Sequence, residues 1–309
     1  ASKYLSQEEV VPGTTQSYKI EFTNGYDVDI HWVKLTDYID LKGLSLDGIL
    51  FPDSISSNLQ FTARFFDGEN WSDKLPERDE DIKGFELTFI DVPAKGKITA
   101  EFDVIFPPGA EPGNRSNEGT IEYSVLGETR QIETNEVEFV IVPFQLPLIG
   151  PLNYPEAAEM TDEDTTISTE TVYEGLTVIF LHTVKNGGNV PGVMDLLVGS
   201  ANFEDADWSF VFYDISGELL KDSDSNGFVD VGIVLPGEEV DVKLEVMVPA
   251  GLTGDNDGNT FKFLPETRTG EKANRTIDII PVLLGADSIE IEKSLISGSL
   301  VLPGEEVHY

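Results

Sequence analysis

Apolar and polar residues alternate with a period of two over much of the chain, most clearly in residues 17–22, 84–90, 99–106 and 240–248. That period places successive side chains on opposite faces of a strand, so each segment predicts a strand with one buried and one wet face. Pro-Gly and Asn-Gly pairs fall between these segments, and none carries a sustained apolar stripe at helical spacing. The pattern predicts an all-β chain of antiparallel β-sandwiches rather than a parallel α/β design. Glycines stand in hairpin-like settings such as Asn186-Gly187-Gly188-Asn189, which disfavours a phosphate-binding loop.

The chain also repeats itself. Val92-Pro93, an alternating strand and Pro107-Pro108-Gly109 recur as Leu235-Pro236-Gly237, an alternating strand and Pro249-Ala250-Gly251. Upstream, Phe65-Phe66-Asp67-Gly68 aligns with Phe212-Tyr213-Asp214 and Gly217, and downstream residues 113–117 align with residues 254–259. A length of 309 residues suits two domains. The expected organisation is a sandwich over residues 1–145 and a second over residues 146–285, separated by the proline-rich stretch 143–155, which stiffens extended backbone. Residues 286–309 read as the first strands of a third copy, with Leu302-Pro303-Gly304 matching Val11-Pro12-Gly13. So short a piece cannot close a core, so it is expected to be completed by further polypeptide, in the same chain or as a strand donated between subunits.

The order Pro12-Gly13, then Tyr18 to Asn24, then Val33 to Asp37 resembles the conserved repeat domain DUF11 of large prokaryotic surface proteins. The second copy is similar, with Val184-Lys185-Asn186-Gly187-Gly188-Asn189, Trp208, an Asp-rich turn and Leu235-Pro236-Gly237-Glu238. The insert at residues 41–59 departs from that pattern. The resemblance implies tandem Ig-like modules of S-layer, sheath or adhesin polypeptides at the cell surface.

Charge narrows the partners. With 57 acidic against 20 basic side chains the net charge is −37, which opposes nucleic acid and anionic membranes and favours a surface that collects cations. Absence of cysteine removes disulfides, thiol nucleophiles and Cys-ligated metals. His31, His182 and His308 are too scattered to suggest a His-based site. No run approaches the ~18 apolar residues of a membrane span, and the first residues lack a signal-peptide core. That fits a mature or trimmed soluble segment, expected outside the cell.

One constellation carries definite chemistry: Asp222-Ser223-Asp224-Ser225-Asn226-Gly227-Phe228-Val229-Asp230. Oxygen ligands at loop positions one, three, five and nine, glycine at six and the Phe228 carbonyl at seven suit Ca²⁺, a hard cation of flexible coordination. Ile233 stands where a bidentate Glu is usual, so a further ligand must come from water or a distant carboxylate. The bland reading is an Asx-rich turn that satisfies its own backbone. The corresponding place in the first copy, Asp79-Glu80-Asp81-Ile82-Lys83-Gly84-Phe85, has Lys83 in place of the Asn226 oxygen, so Lys83 is expected to neutralise the Asp pair instead of an ion. A weaker cation candidate is residues 255–259.

Trp32, Trp71 and Trp208 could form a glycan platform, although single tryptophans in sandwiches are usually core. Acidic pairs such as Glu238 and Glu239 arise by chance in so acidic a chain. Lys19 and Asn135 are a candidate pair for an intramolecular isopeptide crosslink of the kind found in surface adhesins. The expected function is a non-enzymatic structural or adhesive protein, a Ca²⁺-braced building block of a layer, sheath or filament, partnered by neighbouring repeats or its own copies. The alternative is a carbohydrate-binding or spacer module of a secreted polysaccharide-active enzyme.

Overall fold

Strands form where the alternation is strongest. Thr15–Thr23, Gly84–Val92, Lys97–Ile105 and Glu239–Met247 cover the four segments that show it best, and along Thr15–Thr23 Gln16, Tyr18, Ile20 and Phe22 all turn inward. The structure is a computed structural model that describes residues 1–39, 48–168, 172–200, 202, 207–250, 260–281 and 283–284. Among these the only helical element is a short 3-10 turn, Asp79–Asp81, so the chain is all-β.

The described chain divides into two compact units. The first contains Ala1–Pro147 together with Asn186–Gly192 and Ile233–Glu238; the second takes the remainder from Leu148. In the first unit one sheet runs in the order Ser2–Leu5, Thr15–Thr23, Lys97–Ile105, Ile49–Ser57, all antiparallel. A second sheet runs Glu128–Glu133, Gly119–Val125, Ile30–Tyr38, Gly84–Val92, Thr62–Phe66, Trp71–Ser72. A smaller sheet joins Gly113–Asn117, Val137–Ile141 and Glu9–Val10. The inward faces share one core, in which Tyr18 stacks on Phe102 at 5.1 Å and Phe85 meets Phe102 edge-on at 4.7 Å. These are the sheet orders of an Ig-like sandwich.

The second unit repeats the plan. Pro147–Pro151, Thr177–Asn186, Glu239–Met247 and Ser209–Asp214 form one sheet; Thr165–Ile167, Ile277–Ile280, Phe261–Thr269, Gly192–Ser200 and Val229–Val234 form the other, with Lys272–Arg275 against Phe261–Thr269. Glu239–Met247 therefore occupies the place of Lys97–Ile105, as the repeat predicts. The upstream alignment fails. Thr62–Phe66 pairs with Gly84–Val92, whereas Ser209–Asp214 pairs with Glu239–Met247 in the opposite sheet, the place that Ile49–Ser57 holds in the first unit. Short aromatic-plus-turn motifs recur in any β-protein and do not fix the sheet.

The proline-rich stretch also differs from a plain linker: Pro147–Pro151 is an edge strand, where a missing N–H costs no ladder bond. Residues 254–259 and the expected third copy at residues 286–309 lie outside the described residues.

Candidate functional site

The Asp-rich segment forms a loop leading into Val229–Val234. Ser225 and Gly227 both have positive φ, 64° and 93°, which lets the chain reverse twice within a few residues. Asp222 holds this turn together: its two oxygens accept the backbone N–H groups of Asn226 at 3.1 Å and Gly227 at 2.8 Å. Gly227 first, then Asn226, keep the Asp222 carboxyl below the usual carboxylate range. Asp230 is buried and accepts from Ser223 N at 2.6 Å, Ser223 Oγ at 2.7 Å and Gly232 N at 2.7 Å.

A residue outside the loop completes the cluster. Asp195, buried on Gly192–Ser200, brings a carboxylate oxygen within 4.8 Å of those of Asp224 and Asp230. The structure thus gathers Asp224, Asp230 and Asp195, and places Asp222 at the base of the turn. Asn226 donates from Nδ2 to both Asp195 oxygens, at 2.9 and 3.0 Å, and its Oδ1 accepts the Phe228 N–H at 2.9 Å. The Phe228 ring lies under the Arg268 guanidinium at 3.7 Å, and Arg268 Nε is 3.9 Å from Asp195. Three carboxylates therefore face one cation and one amide. The donors are all hard oxygens, the chemistry that Ca²⁺ prefers. Half a turn of the Asn226 amide would replace its donor with an acceptor, the change that coordination requires. The motif leaves a further ligand open between water and a distant carboxylate and does not point to Asp195, because the inward alternation of Met194, Leu196 and their neighbours gives no sign of it.

In the first unit the corresponding turn also leads directly into a strand that lies beside Ile30–Tyr38. Its charge balance differs from the expectation: Arg78 Nη2 pairs with Asp81 at 2.9 Å and is the foremost cause of the lowered Asp81 carboxyl, with Lys83 a smaller contributor. At Asp81 the basic residue ahead of the loop contributes more than the one inside it.

Two of the tryptophans pack against other aromatic rings of their own unit. Trp208 is buried against Phe261 and Phe263, 5.2 and 5.0 Å away. Trp71 packs tilted on Phe66 at 5.2 Å and edge-on to Tyr38 at 6.1 Å. The Lys19–Asn135 pair is not assembled. Lys19 is half-exposed beside Glu21 at 2.9 Å, while Asn135 exchanges two hydrogen bonds with the backbone of Lys3.

A second buried polar group in the same unit is His182, 3.0 Å from Asp278 with both side chains fully enclosed. Burial opposes its charge, but Asp278, the Gly150 backbone and Asp164 outweigh it and raise the His182 pKa above the ordinary value. Burial likewise raises Asp278, against the pull of His182. Both shifts favour retention of a proton by the pair.

No family model and no curated relative matches the chain. Solved structures overlap it loosely. The C-terminal domain of the AgI/II polypeptide BspA from Streptococcus agalactiae is 9% identical over 90% of this chain and 99% of its own, with a TM-score of 0.33. Domains D2 and D3 of the major pilin SpaD from Corynebacterium diphtheriae are 10% identical over 92% of this chain and 96% of theirs, at 0.34. A collagen-binding domain from a Staphylococcus aureus adhesin covers 46% of this chain and 95% of its own, at 9% identity and 0.29. Overlaps this loose say nothing about function. No helix among the described residues is long and apolar enough to cross a membrane.

Proposed function

We propose that this chain is a structural or adhesive protein of the cell surface or extracellular space, a tandem β-sandwich building block of a layer, sheath or filament whose second unit is braced by Ca²⁺. The observation that carries the reading is the convergence of Asp195 on Asp224 and Asp230, in a unit whose loop is otherwise closed by Asp222. Divalent charge at that point offsets the mutual repulsion of the carboxylates and ties the loop to the strand Gly192–Ser200, stiffening the sandwich across the sheet. The strong acidity suits an environment where salt and divalent ions screen it. The glycan-module alternative is less favoured, because Trp208 is committed to the core and Trp71 to its aromatic neighbours.

Calorimetric titration of the whole chain with CaCl₂, alongside melting in calcium and in chelator, tests the brace. Calcium at a hundred times its dissociation constant adds about 2.7 kcal/mol to the unit that binds it. Asp195→Ala and Asn226→Lys should each abolish the calcium-dependent rise in melting temperature. A wild-type chain that binds no calcium and melts identically in chelator overturns the brace.

A further inference from the structure

Three residues from three different sheets of the first unit meet inside its core. Lys3 lies on Ser2–Leu5, Asp37 on Ile30–Tyr38 and Asn117 at the end of Gly113–Asn117; their exposures are 1%, 0% and 6%. The Lys3 ammonium donates to Asp37 Oδ2 and sits 5.2 Å from the Tyr18 ring centre and 5.7 Å from that of Phe102. The Asn117 amide is a further polar neighbour of the Asp37 carboxyl. Yet Asn117 Nδ2 and Asp37 Oδ1 both lack a hydrogen bond of ordinary geometry. Space around the carboxyl depends on Gly119, where a Cβ would stand 3.3 Å from Asp37 Oδ2.

As a plain ion pair this arrangement is costly. Two charges are removed from water, and the polar atoms beside them are left unmatched. Burial moves both groups the same way: it lowers Lys3 and raises Asp37, favouring transfer of a proton from ammonium to carboxylate. What results is a neutral amine, which is a nucleophile, and a neutral carboxylic acid, which is a hydrogen-bond donor. Beside the Asp37 carboxyl lies a primary amide, an acyl group whose nitrogen makes no hydrogen bond of ordinary geometry.

We propose that Lys3 and Asn117 become joined by an intramolecular isopeptide bond, with Asp37 as the proton carrier. The Lys3 Nζ lone pair attacks Asn117 Cγ while the Asp37 carboxylic acid polarises the amide carbonyl. A tetrahedral centre forms, one proton passes from Nζ through Asp37 to Nδ2, and the Cγ–Nδ2 bond breaks. Amine and primary amide become a secondary amide and one ammonia; Asp37 ends in the protonation state in which it began, and no oxidant or reductant takes part. The product carries no charge, so the core is relieved of the buried ion pair. It also ties the first strand of the unit to Gly113–Asn117, so tension entering near Lys3 passes to Asn117 without loading the strands between.

Intact-mass spectrometry and peptide mapping of the whole purified chain decide the matter. The folded wild type should weigh one ammonia less than its sequence, and digestion should yield a branched peptide joining Lys3 to Asn117. Asp37→Ala and Asn117→Ala should restore the ammonia and lower the melting temperature of the first unit. Ammonia loss from an Asn-Gly succinimide, as at Asn24-Gly25, gives no branched peptide and persists in Asn117→Ala; that pattern overturns the proposal. So does a folded wild type of full sequence mass with separate Lys3 and Asn117 peptides, a readout that stands even where a variant fails to fold.

Discussion

Polar residues stand in otherwise apolar inward rows of both units. In the first, Val33, Leu35, Asp37 and Ile39 all face the core; in the second, Val178, Phe180, His182 and Val184 do. A period of two over Val33, Leu35 and Asp37 assigns Asp37 to the buried face, whereas the continuous apolar run Val178-Ile179-Phe180-Leu181 assigns His182 to neither. What the two residues do there is not legible in either case, since their partners Lys3 and Asp278 arrive from strands far away in sequence. His182 has a definite pH consequence. A histidine whose folded pKa is raised contributes stability that is fully present below its unfolded value of about 6.5 and is lost as pH rises through the folded value. The second unit should therefore melt lower as pH is taken from about 6 upward past that value. His182→Phe should flatten the dependence, and a melting temperature equally steep in that variant would contradict the assignment. Phe102, packed between Tyr18 and Phe85, should cost the first unit about 3–5 kcal/mol when changed to Ala, measured by denaturant unfolding.

At the scale of elements, strands with one wet face announced themselves, while pairing did not. Alternation placed Lys97–Ile105 and Glu239–Met247 correctly as equivalent strands, but could not tell that Thr62–Phe66 and Ser209–Asp214 belong to different sheets, because register and neighbour choice depend on side chains across the core. Prolines at 147 and 151 suggested a linker, although an edge strand tolerates them. The loop at residues 222–230 was the most readable element, since its glycine and oxygen spacing reflects local backbone geometry. Gly227, with φ at 93°, should not accept a side chain without strain: Gly227→Ala is expected to destabilise the second unit by about 1 kcal/mol in chelator. Calorimetry should show calcium affinity falling in the same variant. An unchanged transition and unchanged affinity would mean that the turn does not shape the site.

Across the whole molecule the net charge of −37 is the dominant feature. Self-repulsion at this level destabilises compact states and is screened within about 10 Å at 0.1 M salt. Melting temperatures of both units should thus rise from low to moderate NaCl, and calcium should raise that of the second unit at concentrations too low to act by screening. Sequence alone indicated acidity, repetition and a β-sandwich plan; it did not reveal that Asp195 joins the loop. We propose that the Ca²⁺ brace makes the second unit a module that bears load. Single-molecule pulling on the whole chain, first in calcium and then in chelator, tests it most directly. The account predicts that the rupture force of the second unit falls when calcium is removed and returns when it is restored. A rupture force that is the same in both solutions would contradict it.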